Sequence, residues 1–134
     1  MTKLTLAATV AVAAAAGIWG IQVLNAQQDP IQRKVLQKKD LSVQGREGVM
    51  AAVEIAPGAA EGRHTHPGDV MAYVVEGTLA LEVEGRPTVN LKAGDSLFIE
   101  AGKIHQGKNT GETPTKLLAA FFVEKGKPLT TQVK

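Results

Sequence analysis

The sequence of 134 residues predicts an all-β protein, either a sandwich or a barrel. Short runs rich in Val, Leu, Ile and Phe follow one another, and turn residues separate them at intervals of about 8–12 residues. Helical periodicity is scarce after residue 27. The stretch TLALEVE (78–84) places Leu79, Leu81 and Val83 on one face, the pattern of a strand that is wet on its other face. The length is that of one domain.

Six strands are expected from the apolar runs, and Gly, Pro and Asn residues form the turns between them. The predicted strands are Val49–Ala56, Val70–Glu76, Thr78–Glu84, Thr88–Leu91, Ser96–Glu100 and Lys116–Glu124. The tail Gly126–Lys134 has two open interpretations, an edge strand of the same chain or a strand that pairs with a neighbouring subunit.

Residues 1–26 have the features of a signal peptide. One positive charge, Lys3, precedes the apolar, Ala-rich stretch Leu4–Ile21, and the small residue Ala26 offers a cleavage point. We therefore expect export to the periplasm or the extracellular space, with the remaining residues, 27–134, as one folded domain. Leu24 is larger than the residue usually found three positions before a cut, so an uncleaved membrane anchor of 18 apolar residues remains the alternative.

Composition excludes several classes of function. Hydrophobic residues make up 44% and charged residues 21% of the chain, which excludes a wholly disordered protein. The formal net charge is only +2 and no basic block stands out, so no nucleic-acid partner is expected. The chain has no Cys, which excludes disulfides, zinc ribbons, thiol nucleophiles and iron–sulfur clusters. Any metal must be bound by histidine, carboxylate or carbonyl groups.

The three histidines of the chain lie in two separate segments of the sequence. His64 and His66 are one residue apart, which on a strand places both rings on the same face, roughly 7 Å apart. His105 follows 39 residues after His66, and a closed barrel could return it to the same interior point. An isolated histidine is usually a surface residue or a hydrogen-bonded core group. Two such segments with a shared face instead favour one metal site.

The residues around these histidines resemble the two sequence motifs of the cupin superfamily. The first motif corresponds to Gly58, His64, His66 and Gly77, and the second to Gly94, Glu100-Ala101-Gly102, His105 and Asn109. The resemblance to small single-domain cupins extends from about Val49 to Val123. It implies a double-stranded β-helix, a barrel of jelly-roll type. It also implies a homodimer that pairs or exchanges edge strands, for which the unassigned segments Gln32–Lys39 and Gly126–Lys134 are the candidates.

Two positions depart from the cupin motifs. Val70 stands where the first motif normally has a glutamate ligand, four residues after His66. Asp69 would replace that ligand only if Pro67-Gly68 bent the strand enough to turn it inward. Glu100 stands where the second motif usually has proline, and we expect its carboxylate at the rim or in solvent.

The resemblance therefore implies a divalent metal ion bound by His64, His66 and His105. Imidazole ligands suit Fe, Ni, Cu and Zn, whereas Mn is less favoured without the motif glutamate. Strand parity predicts that Val70, Ala72 and Val74 share the inward face with the histidines and line an apolar substrate pocket. Phe98 is placed in this pocket as a further wall residue, with Phe121 and Phe122 as other candidates, and a role in the core is the alternative for each of the three. Arg63 and Gln106 are either substrate contacts at the mouth of the barrel or solvated surface residues.

Three functions fit these residues. The first is dioxygenase-like chemistry on a small organic molecule, because some cupin dioxygenases use iron bound by three histidines. The alternative is a non-catalytic module that binds or senses a small ligand or a metal, because a positioned protein base is not evident. The third is a structural barrel whose histidines bind nothing. In the first two the partner is a small molecule.

Overall fold

The computed structural model describes residues 28–134. The predicted signal peptide, its alternative as an anchor and the cleavage point lie outside the described residues. No helix in residues 28–134 has the length and apolar character that a membrane span requires.

Ten β-strands make up the regular structure of the described residues, which contain no helix. The strands are β1 Ile31–Asp40, β2 Arg46–Ile55, β3 His64–Thr65, β4 Gly68–Glu76, β5 Thr78–Val83, β6 Val89–Lys92, β7 Ser96–Ile99, β8 His105–Lys108, β9 Thr115–Glu124 and β10 Thr131–Gln132. They form two antiparallel sheets of five strands, in the orders β1-β2-β9-β4-β7 and β10-β3-β8-β5-β6. The predicted all-β jelly-roll fold is confirmed.

The core lies between the two sheets and follows the alternation of each strand. Along β4, Val70, Ala72 and Val74 are buried while Met71 and Tyr73 are exposed. The central strands β2 and β9 alternate in the same way over ten residues each. The buried apolar residues of both sheets form one cluster, so removal of apolar surface from water stabilises the closed arrangement.

All six predicted strands are present, with ends that differ by a few residues. Of the other four strands, β1, β3 and β8 were not predicted, and β10 lies in the tail for which an edge strand of the same chain was one of the two interpretations. The strand β1 has a nearly continuous run of exposed residues and pairs with β2 along its whole length, so no apolar alternation marks it. β3, β8 and β10 have only two to four residues, too few to show a period. Both segments considered for subunit pairing contain strands that pair within the chain, and Thr131–Gln132 forms an edge strand beside β3.

A buried side chain, Asn109, ties three chain segments together behind β8. Its Nδ2 donates to the carbonyl oxygens of Ile55 and Thr113, at 2.9 and 2.8 Å, and its Oδ1 accepts from the backbone N–H of Gly111. Asn109 is only 1% exposed, so these groups have no access to water. Asn-x-Gly segments favour turns capped by the asparagine side chain, and Asn109 caps this turn through the N–H of Gly111.

Replacing Asn109 with alanine is expected to lower the free energy of unfolding by about 2–3 kcal/mol, because buried carbonyl groups lose their donor. Urea denaturation measures this change. The matched control is Asn90→Ala on the exposed strand β6, for which a change within about 0.5 kcal/mol is expected. Equal urea midpoints for the two variants would contradict the structural role of Asn109.

Candidate metal site

The three histidines converge inside the barrel. His64 on β3 is paired in register with His105, the first residue of β8, and His66 lies between β3 and β4. One possible ligand atom from each ring lies within 4.8 Å of the others, and all three residues are buried. The ring centroids are 4.3 to 5.0 Å apart. The closed arrangement of the strands therefore brings together two histidine-containing segments that are far apart in the sequence.

The Nδ1 atom of each histidine forms a hydrogen bond with a backbone carbonyl oxygen. The acceptors are the carbonyl oxygens of Gly62 for His64, of Leu129 for His66 and of Lys103 for His105, at 2.7, 2.7 and 2.9 Å. A carbonyl oxygen only accepts hydrogen bonds, so each Nδ1 carries the proton. The lone pair is then on Nε2, and the outer hydrogen bond fixes the orientation of the ring. This is the tautomer that a metal ligand needs.

Burial also favours the neutral form of His66 and of His105. It lowers the pKa of His66 to about 4, and the neighbouring charges of His64 and His105 act in the same direction, while the hydrogen bond to Leu129 opposes them. Burial likewise lowers the pKa of His105. Neutral imidazole is the form that binds a metal ion, so the site is ready for one at neutral pH.

The lowered pKa of His66 predicts that the metal-free protein loses stability in acid. The unfolded chain binds a proton near pH 6.5 and the folded chain only near pH 4, so protonation favours unfolding. This stability is present above pH 6.5 and is lost as the pH falls to about 4, by about 3 kcal/mol. Urea denaturation at both ends of this range, with chelator present, measures the loss. The variant His66→Gln is expected to show a weaker dependence of stability on pH. An unchanged pH dependence in that variant would show that His66 is not its cause.

The rings face a small apolar cavity of about 50 Å³. Of the four residues predicted for the substrate pocket, Val70 and Ala72 line it, and Val74 is buried in the core but is not among the lining residues. Phe98 does not line it: its side chain is 49% exposed on the outer face of the sheet. The reason is strand parity, since Leu97 and Ile99 are the residues of β7 that face the cavity.

The aromatic wall comes from β9 instead. Phe121 lines the cavity, with its ring centroid 5.0 Å from that of His66 in an edge-on arrangement. Its neighbour Phe122 is 41% exposed on the other face. The alternation along β9 is a sequence signal that distinguishes these two residues, because Phe121 shares a face with Leu117 and Ala119, which also line the cavity.

Carboxylates near the motif positions point away from the histidines. Val70 faces the interior, as its parity predicts. Asp69 is exposed, and its Oδ1 accepts a hydrogen bond of 2.9 Å from the N–H of Ala101. Glu100 forms a surface ion pair with Arg86. In the part of the chain that the structure describes, no carboxylate joins the histidine cluster.

The two polar residues considered for the mouth of the barrel belong to surface pairs. Arg63 forms an ion pair with Glu84, and Gln106 Nε2 donates to Glu82 Oε2 at 2.7 Å. Neither lines the cavity.

Two charged residues that sequence reasoning missed do line the cavity, Arg33 on β1 and Glu61 in the loop before β3. Their side chains form an ion pair of 2.9 Å. Arg33 lies in a segment without apolar alternation, so its inward orientation has no sequence signal. Glu61 lies in an irregular loop, where no period applies.

Comparison with known proteins places these observations in a family. The family model described as "Cupin domain" matches residues 51–123. The tetracenomycin polyketide synthase protein TcmJ of Streptomyces glaucescens is 33% identical over 78 residues, which cover 58% of this chain and 52% of that protein. The chain thus spans about half the length of this relative.

Solved structures share the fold. An uncharacterized conserved protein with a double-stranded β-helix domain from Klebsiella pneumoniae has a TM-score of 0.64 at 18% identity, covering 80% of this chain and 87% of that chain. The DMSP lyase DddQ from Ruegeria pomeroyi has a TM-score of 0.66 at 18% identity, covering 85% and 57%. At these identities the likeness concerns the fold alone.

Proposed function

The chain belongs to the cupin family, and we propose that it acts on a small organic molecule, with dioxygenase-like chemistry, at a divalent metal ion bound by three histidines. The observation that carries the proposal is the geometry of the rings. His64, His66 and His105 converge within 4.8 Å, and each presents Nε2 because a carbonyl oxygen engages its Nδ1.

The donor set fits a divalent ion of the late first transition row. Three neutral imidazoles suit Fe, Ni, Cu or Zn, and the inward Val70 adds no hard oxygen ligand that would favour Mn. Three protein ligands leave coordination positions open, which is characteristic of catalytic rather than structural sites. When bound, such an ion would supply Lewis acidity or, in the case of iron, activation of O₂ towards a substrate.

The protein's own contribution would be to orient the ligands and to exclude water. Val70, Ala72 and Phe121 surround the rings with apolar surface, which limits competing hydration of a bound substrate. The backbone carbonyls that accept hydrogen bonds from the three rings come from three separate segments, so the rings are held before any ion binds.

Oxygen consumption tests the proposal. The protein is loaded with Fe(II) and supplied with small diketone or thiol compounds, and we expect substrate-dependent O₂ uptake. The double variant His64→Ala, His66→Ala serves as the control and should show none. Iron-loaded protein with neither O₂ uptake nor a substrate-dependent spectral change would refute the dioxygenase-like activity.

The small volume of the cavity, about 50 Å³, favours a second candidate, a non-catalytic module that binds or senses a small ligand or a metal. In that case the metal-loaded protein binds its ligand without turnover. Any sustained turnover would end this alternative.

We also propose that the protein is exported and forms a homodimer. The outer face of the sheet that contains β4 carries exposed apolar side chains, which a second copy would cover; they include Met50, Met71, Tyr73, Phe98, Leu118 and Phe122. Light scattering measures the mass in solution, and a monomeric mass would refute the dimer. Fractionation of the producing cells tests export.

A further inference from the structure

Arg33 is placed over the metal cavity by backbone pairing. It is opposite Val53 in the register of β1 and β2, and Val53 points into the core. Its Nη2 donates to Glu61 Oε2 at 2.9 Å. The Arg33 side chain is 41% exposed and that of Glu61 is 13% exposed, so the pair lies at the border between the cavity and solvent.

Glu61 is fixed in turn by β8. Its backbone N–H donates to the carbonyl oxygen of Gly107 at 2.9 Å. A Cβ at Gly107 would lie 2.6 Å from Glu61 Oε1, so the missing side chain there makes room for the carboxylate. Glu61, which is itself fixed by β8, therefore holds the Arg33 guanidinium towards the cavity.

Arg33 and Glu61 share the lining of the cavity with the three histidines. Apart from the histidines, Arg33 and Glu61 are the only ionisable residues among the described residues that line this cavity.

The charges around the cavity favour an anionic ligand. Three neutral imidazoles leave a divalent ion with its full charge, and the charges of Arg33 and Glu61 cancel each other. A neutral ligand would leave two positive charges uncompensated among apolar walls, where unpaired charge is costly. Glu61 engages one guanidinium nitrogen, so other N–H groups of the Arg33 fork remain for a carboxylate.

The cavity volume limits the size of that ligand. About 50 Å³ holds roughly three to five water molecules, which corresponds to an organic molecule of about four to six non-hydrogen atoms.

We propose that the cavity selects small carboxylates of about four to six non-hydrogen atoms, and that Arg33 is the residue that recognises the carboxylate group. This inference rests on the proposed metal site. It narrows the substrate class and makes Arg33 a determinant of specificity.

The test is an NMR titration of the zinc-loaded protein with acetate and with acetamide, which have the same size and shape but differ in charge. We expect acetate to bind at least about tenfold more tightly than acetamide, as a charge-assisted pair predicts. Arg33→Met should lower acetate affinity by at least about tenfold and leave acetamide unchanged. The matched control is Arg63→Met, an arginine of a surface ion pair outside the cavity, for which acetate affinity should stay within about twofold.

Zinc content is measured for every variant, which separates the two proposals. If neither the parent protein nor any variant retains zinc, the proposed metal site is refuted and this inference is refuted with it. If zinc is retained but Arg33→Met binds acetate like the parent, or acetate and acetamide bind alike, only the recognition by Arg33 is refuted. Arg33→Lys provides a second variant should the methionine variant fail to fold. It keeps the charge without the fork, and we expect an intermediate loss of acetate affinity.

Discussion

Replacing His105 with alanine is expected to lower the affinity for a divalent metal by more than about 100-fold. Loss of an outer-shell partner alone costs about 10–100-fold in metal affinity, and loss of a direct ligand costs more. At a metal concentration 1,000 times the dissociation constant, binding stabilises the folded parent protein by about 4.1 kcal/mol. A 100-fold weaker site would retain only about 1.4 kcal/mol of this at the same concentration.

Metal content after purification and the melting temperature with and without chelator measure this effect. The control is Gln106→Ala, the next residue along β8, whose side chain pairs with Glu82 outside the cavity. It should keep both the metal and the difference in melting temperature. If His105→Ala still contains stoichiometric metal, or if chelator leaves the parent protein's melting temperature unchanged, the three-histidine site does not bind an ion.

Replacing Gly68 with alanine is expected to destabilise the fold by more than about 3 kcal/mol, because overpacking against backbone leaves nothing flexible to move. A Cβ at Gly68 would lie 2.0 Å from the carbonyl oxygen of Phe122 and 2.7 Å from the Cα of Val123. β4 and β9 would have to separate at this point, just after His66. Since net stabilities are about 5–15 kcal/mol, this loss removes a large share of the stability, and the variant should unfold at a much lower urea concentration than the parent protein.

The matched control is Gly85→Ala. Gly85 has a φ of +79° and nothing within 4 Å of a Cβ placed there, so only the backbone strain of about 1–2 kcal/mol is expected. Urea midpoints and soluble yield compare the two variants. A Gly68→Ala protein that unfolds at the same urea concentration as Gly85→Ala would show that the sheets accommodate the extra carbon.

Strand parity predicted the part of the site that lies on regular strands. The inward positions of Val70, Ala72 and Val74 follow from the spacing to His66, and the structure places all three inside. The register of β7 is not known from the sequence, and the candidate Phe98 faces outward while Leu97 and Ile99 face the cavity. Parity fixes which residues share a face, but only a partner strand decides which face is inside.

The remaining parts of the site depend on long-range pairing that leaves no local pattern. Arg33 faces the cavity because β1 pairs with β2, and β1 is too polar for its inward side to be recognised. The carbonyl of Leu129 reaches His66 across 63 residues of sequence. Backbone acceptors are the same at every residue, so sequence cannot indicate which of them orients a ring.

The groups that surround the three histidines determine how far the protein can be shortened without changing the site. A fragment limited to residues 51–123, the stretch that matches the family, would keep His64, His66 and His105. It would lack the arginine at the cavity border and the carbonyl of Leu129, which come from opposite ends of the described chain. Such a minimal domain would contain the three histidines but not the carbonyl that orients one ring or the guanidinium at the cavity border. Transferring the site to another protein therefore requires both terminal segments as well.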